Sequence, residues 1–580
     1  MGLLQEQPKR MARERRLLVE HCRTTSGFHI QNWGETTDGE LCLRFSFDLA
    51  VGEFEGVLIY PDLFPDVPAY IRPQKHGESW SGHQYKGSGV LCLQYGPDNW
   101  HQGITGVDLI RSAYLLLWGE QLAVVEPRLG AVPSRHASTV GQDLRGSPSR
   151  FLVTPGLRQR LSAAKKDAPT EMKAALSFLT NSAVATPTGI GAPIEPIPDI
   201  PKEFSEARFA LSGWAVPVES TSAFEAVKDI ESMQATLGSQ WPWGVGLDGG
   251  LHCLLLHDEQ GQIRFFFFSG GSKPLFWEYR TLDVAGDGRR RYPEELHRLS
   301  GAAVAIVGLG SLGSKIAVSL ARSGVRCFLL IDDDVFLPDN LVRNELNWLD
   351  VGFAKIDAVE RELKRIAPAI EVKTSSVRIG GQENPQLSAS LSKLISQSSL
   401  IIDATSDPKA FVALSALAAR SKLAMLWGEI FAGGGGALMA RSRPGLDAVP
   451  LSLRSHIHGV METMAPVPEG PANNYALEQD GQVYIASDAD VTALAASMTQ
   501  FALDTICTEV DSAYPVAAYL IGFRKFWVFR CPFDTIPVDC SGALQKAPDA
   551  EELSDEEFAG LAELEKDIEA TVNVADNDSS

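Results

Sequence analysis

The chain has 580 residues, a formal net charge of −21 and 44% apolar residues. That length exceeds what one core usually fills, so about three domains are expected, and the acidic balance excludes a general attraction to nucleic acid or to an anionic membrane surface. Eight scattered cysteines without a C-x-x-C pair exclude a four-cysteine zinc site and fit reduced thiols in the cytoplasm.

The N-terminus, MGLLQEQPKRMARERR, has no long apolar run behind its basic residues, so neither a signal peptide nor a membrane span is expected. Glu6 breaks the myristoylation pattern. Residues 7–23 read as a helix. LCLRFSFDLA and FEGVLIYP alternate as strands, and Pro61, Pro65 and Pro68 break the next stretch into rigid turns. Cys92 follows a glycine-rich loop, Trp100 comes eight residues later, and a helix is expected from Gly106 to Trp118. This order over residues 1–155 resembles the ubiquitin-conjugating enzyme fold, on Tyr60, Pro61, Phe64, Pro65, Pro68, Gly89, Cys92, Leu93 and Trp100. The resemblance implies that Cys92 carries an acyl group as a thioester, work that suits a thiolate because it is both nucleophile and leaving group. The family usually has His-Pro-Asn upstream of its cysteine, the Asn helping to stabilise the oxyanion. Here the stretch is His83-Gln84-Tyr85, so Gln84 or another donor would have to serve instead.

Residues 156–290 are expected to form a linker and a small sheet-bearing spacer. Residues 156–184 read as helical, TPTGIGAPIEPIPDIPK as an extended Pro-rich linker, and RFALSGWAVPV, GLHCLLLHD and IRFFFFSG as strands. His252, Cys253 and His257 cluster in sequence, but His252 and Cys253 point to opposite faces of a strand, so they are not expected to bind metal.

Residues 291–545 open on a short apolar strand, Ala302 to Val307, followed by Gly308, Gly310 and Gly313 spaced as G-x-G-x-x-G. An amphipathic helix from Leu312 to Arg322 and a strand from Cys327 to Ile331 then deliver Asp332, nineteen residues after Gly313. Such a unit sets a nucleotide phosphate on the helix N-terminus and the ribose on the acid, and by itself leaves NAD and ATP open. Downstream stand Asp334, Asn340, Arg343 and Lys355, and then Asp403 and Asp407 after another strand. The pattern resembles the ThiF/MoeB adenylating family, to which ubiquitin-activating enzymes belong. That resemblance implies ATP and Mg2+, with Asp334 and Asn340 in the nucleotide site. Arg343 and Lys355 would neutralise the phosphates as a carboxylate attacks. Asp407 is the metal ligand by family position, and one extra residue in Asp403-Ala-Thr-Ser-Asp407 keeps Asp403 as the alternative. Residues 443–485 read as a long irregular crossover without cysteine. A thioester-forming activating domain needs a second cysteine, so Cys531 and Cys540 are the candidates. Cys540 is preferred, because its Gly-flanked tail segment is expected to be the more exposed. Residues 546–580 read as a solvated acidic tail.

The order conjugating domain, spacer, ThiF-type domain resembles the fused enzymes encoded beside cGAS-like nucleotidyltransferases (CD-NTases) in CBASS antiphage operons. The resemblance implies an α/β chain that activates the C-terminal tail of a CD-NTase, transfers it to a target amine, and assembles as a homodimer through the activating domains. A small ubiquitin-like protein as partner is the alternative. A nucleotide-binding scaffold and a dehydrogenase remain as further readings.

Overall fold

A computed structural model describes residues 2–543 apart from 51, 76, 86–87, 126–143, 145–146, 165–167, 207–208, 219–220, 244–249, 272, 285–293, 466–475, 480–481 and 509–511. Beyond 543 it describes only Gly560 and Leu564. The expected acidic tail otherwise lies outside the described residues. The chain divides into two compact units, Met1–Pro148 and Ser149–Ser580.

In the first unit, helices Leu3–Glu6 and Pro8–Thr24 precede four antiparallel strands in sequential order: Phe28–Glu35, Leu41–Leu49, Gly52–Tyr60 and Tyr70–Pro73. Alternation along the second strand sends Leu43, Phe45 and Phe47 into the core. The helix Gly106–Val125 closes the unit and runs past the end expected at Trp118. Glu14 ties the two ends of this unit together. It is fully buried, accepts from Gly106 N at 2.7 Å and the Tyr60 hydroxyl at 3.2 Å, and pairs with Arg10 at 2.9 Å. Burial raises its pKa against the pull of those partners. Trp100 Nε1 donates to Pro65 O at 2.7 Å, which braces the cysteine loop on the proline turn.

The second unit begins at Ser149, so the boundary expected at 155/156 moves to 148/149. The cause is strand pairing: Ser149–Val153 lies between Leu275–Asp283 and Ser182–Ile190. That double pairing closes seven strands of an eight-stranded sheet into a ring, with the short strand Glu195–Pro196 paired outside it. Phe151 and Phe265 stack inside at 4.2 Å, and Cys253 is fully buried there. Closure removes exposed strand edges. Two expectations fail here. Among the described residues of 156–184, the helix is confined to Pro155–Ala163, and strand Thr170–Leu179 follows. The start of the supposed Pro-rich linker, residues 186–190, lies in the return strand Ser182–Ile190. Pro187 fits because the register shifts beside it, between Lys173 and Ala174 of the facing strand. Met172, Ala174 and Leu176 alternate into the core, and the burial of these residues overrides the helical pattern.

The rest of this unit is a second eight-stranded sheet with helices on both faces. Its order is Glu371–Ser375, Cys327–Ile331, Ala303–Val307, Leu400–Asp403, Ala424–Phe431, Gly436–Ser442, Ala518–Gly522 and Thr535–Val538. The first five strands are parallel and the last three antiparallel to their neighbours. The chain leaves Ala303–Val307 in one direction and returns on its other side at Leu400–Asp403, which makes a topological switch point between them. The described residues of 443–485 include more regular structure than expected, with helix Pro450–Met464 and paired strands Ala476–Gln479 and Gln482–Ile485. Arg441, fully buried, bonds Asp504 at 2.6 Å, Ser512 at 2.8 Å and the Tyr514 carbonyl at 2.9 Å, and so fixes the end of helix Asp488–Cys507 to the sheet.

Candidate functional site

Parallel strands end together, and loops leaving their carboxyl ends converge. Here they enclose a cavity of about 450 Å³. Gly308 and Gly310 line it from the first strand, and Asp332, Asp333 and Asp334 from the second. Val377, Arg378 and Ile379 follow the strand Glu371–Ser375; Thr405 and Asp407 follow Leu400–Asp403. Lys355 completes the wall.

The glycines have separate reasons. Gly308 has φ +85°, and a Cβ there would meet the Ala404 and Thr405 backbone at 2.9 Å. A Cβ on Gly313 would run into the Gly308 carbonyl, so this glycine lets helix Ser311–Ser323 sit against its strand. Gly310 is the helix N-cap, has open space where a Cβ would stand, and no side chain caps the helix. The first-turn amides therefore face the cavity as an anion seat. Asp332 is oriented by Leu309 N at 2.6 Å and Asp334 N at 2.9 Å. Lys355 is buried, and its Nζ reaches Asp334 at 2.5 Å. That bond holds the Asp334 carboxyl below its usual range.

The cavity's two expected metal ligands differ. Asp407 caps helix Pro408–Ser421 through Lys409 N at 2.8 Å, lies 3.5 Å from Arg378, and is held below the usual carboxylate range by these bonds. Asp403 is buried behind the wall and bonds Thr405 N and Oγ1 at 2.9 and 2.6 Å; burial raises its pKa. Mg2+ commonly takes one or two carboxylates and completes its shell with phosphate oxygens and water, so the ionised Asp407 fits such an ion and Asp403 serves as a support. Among the described residues no group of three or more His, Cys, Asp or Glu side chains could hold a metal alone.

Asn340 and Arg343 do not line this cavity. Asn340 Oδ1 accepts from Leu337 N at 2.9 Å, and Arg343 donates to the Ala486 carbonyl at 3.2 Å. Sequence reading missed Arg378, Thr405 and Asn344. The last, buried, donates to the Leu309 carbonyl at 3.2 Å and braces the glycine turn. Arg378 was findable, because it directly follows a parallel strand, where such sites collect their residues.

In the first unit, Cys92 is half-buried, and its N–H donates to His83 O at 2.7 Å. Burial raises the thiol pKa, and a hydrogen bond from the Tyr85 hydroxyl opposes this. Gln84, the expected stand-in donor, is engaged: Nε2 donates to Glu78 O and Gly89 O, both at 2.9 Å, and Oε1 accepts from Trp80 N at 2.9 Å. Cys531 is exposed and Cys540 half-buried, which reverses the exposures on which the preference for Cys540 rested. The tail turn packs Cys540 against the core of the second sheet.

No helix among the described residues is long and apolar enough to cross a membrane. Residues 288–458 match the model of the ThiF family. A protein of Sinorhizobium fredii called y4qC is 39% identical over 114 residues, which are 19% of this chain and 20% of that protein. The ATP-dependent ubiquitin transferase-like protein Cap2 of Enterobacter hormaechei is 32% identical over 160 residues, 27% of this chain and 26% of Cap2. These matches span about a quarter or less of the curated relatives' lengths. A crystal structure of E. coli MccB with ATP aligns over 45% of this chain and 69% of that one, with 17% identity and a TM-score of 0.33. The chain is thus an α/β protein with a Rossmann-type ThiF-family module, related in sequence to the Cap2 ubiquitin transferase-like proteins.

Proposed function

We propose that this chain uses ATP to adenylate the C-terminal carboxylate of a partner protein and passes the acyl group, as a thioester, through Cys540 or Cys531 to Cys92 and then to a target amine. The observation that carries this is the cavity at the switch point, with an open helix N-terminus at Gly310 and cationic Lys355 and Arg378 on its wall. In the first step a carboxylate oxygen attacks the α-phosphorus and pyrophosphate leaves. Lys355 and Arg378 offset the charge brought together, and Asp332 is set at the ribose. Asp407 would hold Mg2+, whose chemistry here is charge neutralisation on the phosphates. A thiolate then takes the acyl group as AMP leaves, Cys92 receives it by thioester exchange, and an amine displaces Cys92. The partner we propose is the C-terminal tail of a CD-NTase. The kinship to Cap2 supports this, and a small ubiquitin-like protein would use the same chemistry. We also propose a homodimer through the ThiF-type module, supported by the exposed apolar Leu337, Val342, Trp348, Leu349 and Phe353.

The test combines the chain, ATP and the neighbouring gene product on a non-reducing gel. A thiol-sensitive adduct that is lost in Cys92→Ala is expected, with ATP–pyrophosphate exchange retained. Lys355→Ala is expected to lower exchange by about a hundredfold. Adducts unchanged in Cys92→Ala would remove the conjugating role, and no exchange with any partner would favour a binding scaffold.

A further inference from the structure

The missing Asn leaves Cys92 without the oxyanion donor its proposed chemistry requires, and the local ladder offers a replacement. Gln84 and Leu91 form an antiparallel bridge, flanked by Cys92 N to His83 O at 2.7 Å and Tyr85 N to Val90 O at 2.8 Å. Side chains alternate along such a pair. Gln84 and Leu91 share one face: Leu91 enters the core, and the Gln84 amide is consumed by Trp80 N, Glu78 O and Gly89 O. Tyr85 and Cys92 therefore share the other face as diagonal neighbours, a spacing that a long aromatic side chain can bridge. The Tyr85 hydroxyl lies near enough to the Cys92 sulfur to oppose the rise that burial gives the thiol pKa. Tyr85 is half exposed and also lines a cavity of about 440 Å³ beside the glycine-rich loop that precedes Cys92, so an incoming chain can reach its side chain.

We propose that Tyr85 is a catalytic residue of the Cys92 site and donates the hydrogen bond that the family's Asn would otherwise supply. The proposal rests on the reading of Cys92 as an acyl carrier. When an amine nitrogen attacks the thioester carbon, a C–N bond forms and the carbonyl electron pair moves onto oxygen. Tyr85 O–H donates to that oxygen. The oxyanion then collapses, the C–S bond breaks with its pair going to Cys92 sulfur, and the amine proton leaves to water. Tyr85 keeps its proton throughout and returns to the freed thiolate. Burial and the neighbouring Cys92 raise its pKa, which keeps it a donor.

The experiment uses the full chain, loaded on Cys92 from a short peptide thioester of mercaptoethanesulfonate without ATP, and discharged to free lysine. Tyr85→Phe keeps the ring and removes the donor. It is expected to load, to discharge about a hundredfold more slowly, and to shift the pH midpoint of Cys92 alkylation by iodoacetamide upward by about one unit. A merely structural tyrosine would not move that midpoint. Unchanged discharge and midpoint in Tyr85→Phe overturn the proposal while leaving Cys92 as carrier. Slow discharge in Gln84→Leu with normal discharge in Tyr85→Phe overturns it in favour of Gln84. Failure of the unaltered chain to load at Cys92 removes the carrier reading, and the role of Tyr85 falls with it.

Discussion

A cysteine's usefulness as an acyl carrier depends on how readily its thiolate forms and how freely it is approached. Cys540 gives its thiol to the Val538 carbonyl at 3.4 Å, and burial, with Asp447 and Asp539 nearby, pushes its pKa up to about 11. Its turn is closed by Ala543 N to the Cys540 carbonyl at 3.0 Å and by His456 Nε2, which donates to Asp539 O at 2.9 Å. Cys531 is exposed, while Cys253, sealed in the closed sheet, is pushed up to about 12. Iodoacetamide at pH 8 is therefore expected to alkylate Cys531 at least about tenfold faster than Cys540, read peptide by peptide by mass spectrometry. Equal rates would mean that the turn around Cys540 opens in solution and would leave the two thiols equally accessible. For Cys540 to carry an acyl group, that turn has to release.

At the scale of the element, the glycine turn separates packing from ligand binding. Gly313 has no room for a Cβ, so Gly313→Ala is expected to cost about 1–3 kcal/mol of stability, seen as a lower Tm. Gly310 has open space, so Gly310→Ala is expected to keep Tm and instead weaken ATP–pyrophosphate exchange, because a methyl group would stand at the anion seat. Equal loss of Tm in both variants would refute this division. The turn and its helix were legible in sequence: the helix expected from Leu312 to Arg322 forms over Ser311–Ser323. A residue-by-residue reason stands behind that success, since Gly308 and Gly313 each meet a steric demand and Gly310 leaves the helix N-terminus open. The strand Thr170–Leu179 was misread as helix, because a short apolar run takes its state from the surface it buries against.

For the whole molecule, the ThiF-type module leaves Trp348 and Leu349 70% and 72% exposed. Large apolar side chains held at the surface favour association. If they are the surface where two copies meet, Trp348→Asp with Leu349→Asp is expected to convert a dimer to monomer by light scattering without lowering Tm. A monomeric unaltered chain, or a dimer that survives both changes, would remove this assignment. Each compact unit holds one proposed chemistry, which is why Cys92→Ala and Lys355→Ala are expected to separate transfer from activation.

Glycine spacing, the acid after the second strand and the order of strand and helix were determined by sequence alone, because they follow from the geometry of one strand–turn–helix–strand unit. Only the tertiary structure decided that Arg378 joins Lys355 on the cavity wall while Arg343 does not line it. It alone exposed Cys531 and half-buried Cys540, and it turned Gln84 inward and Tyr85 toward Cys92. The exposure of the two cysteines and the make-up of the cavity wall depend on which distant strand or helix packs alongside, and Tyr85 faces Cys92 through the register of a ladder seven residues apart. Local pattern does not encode either.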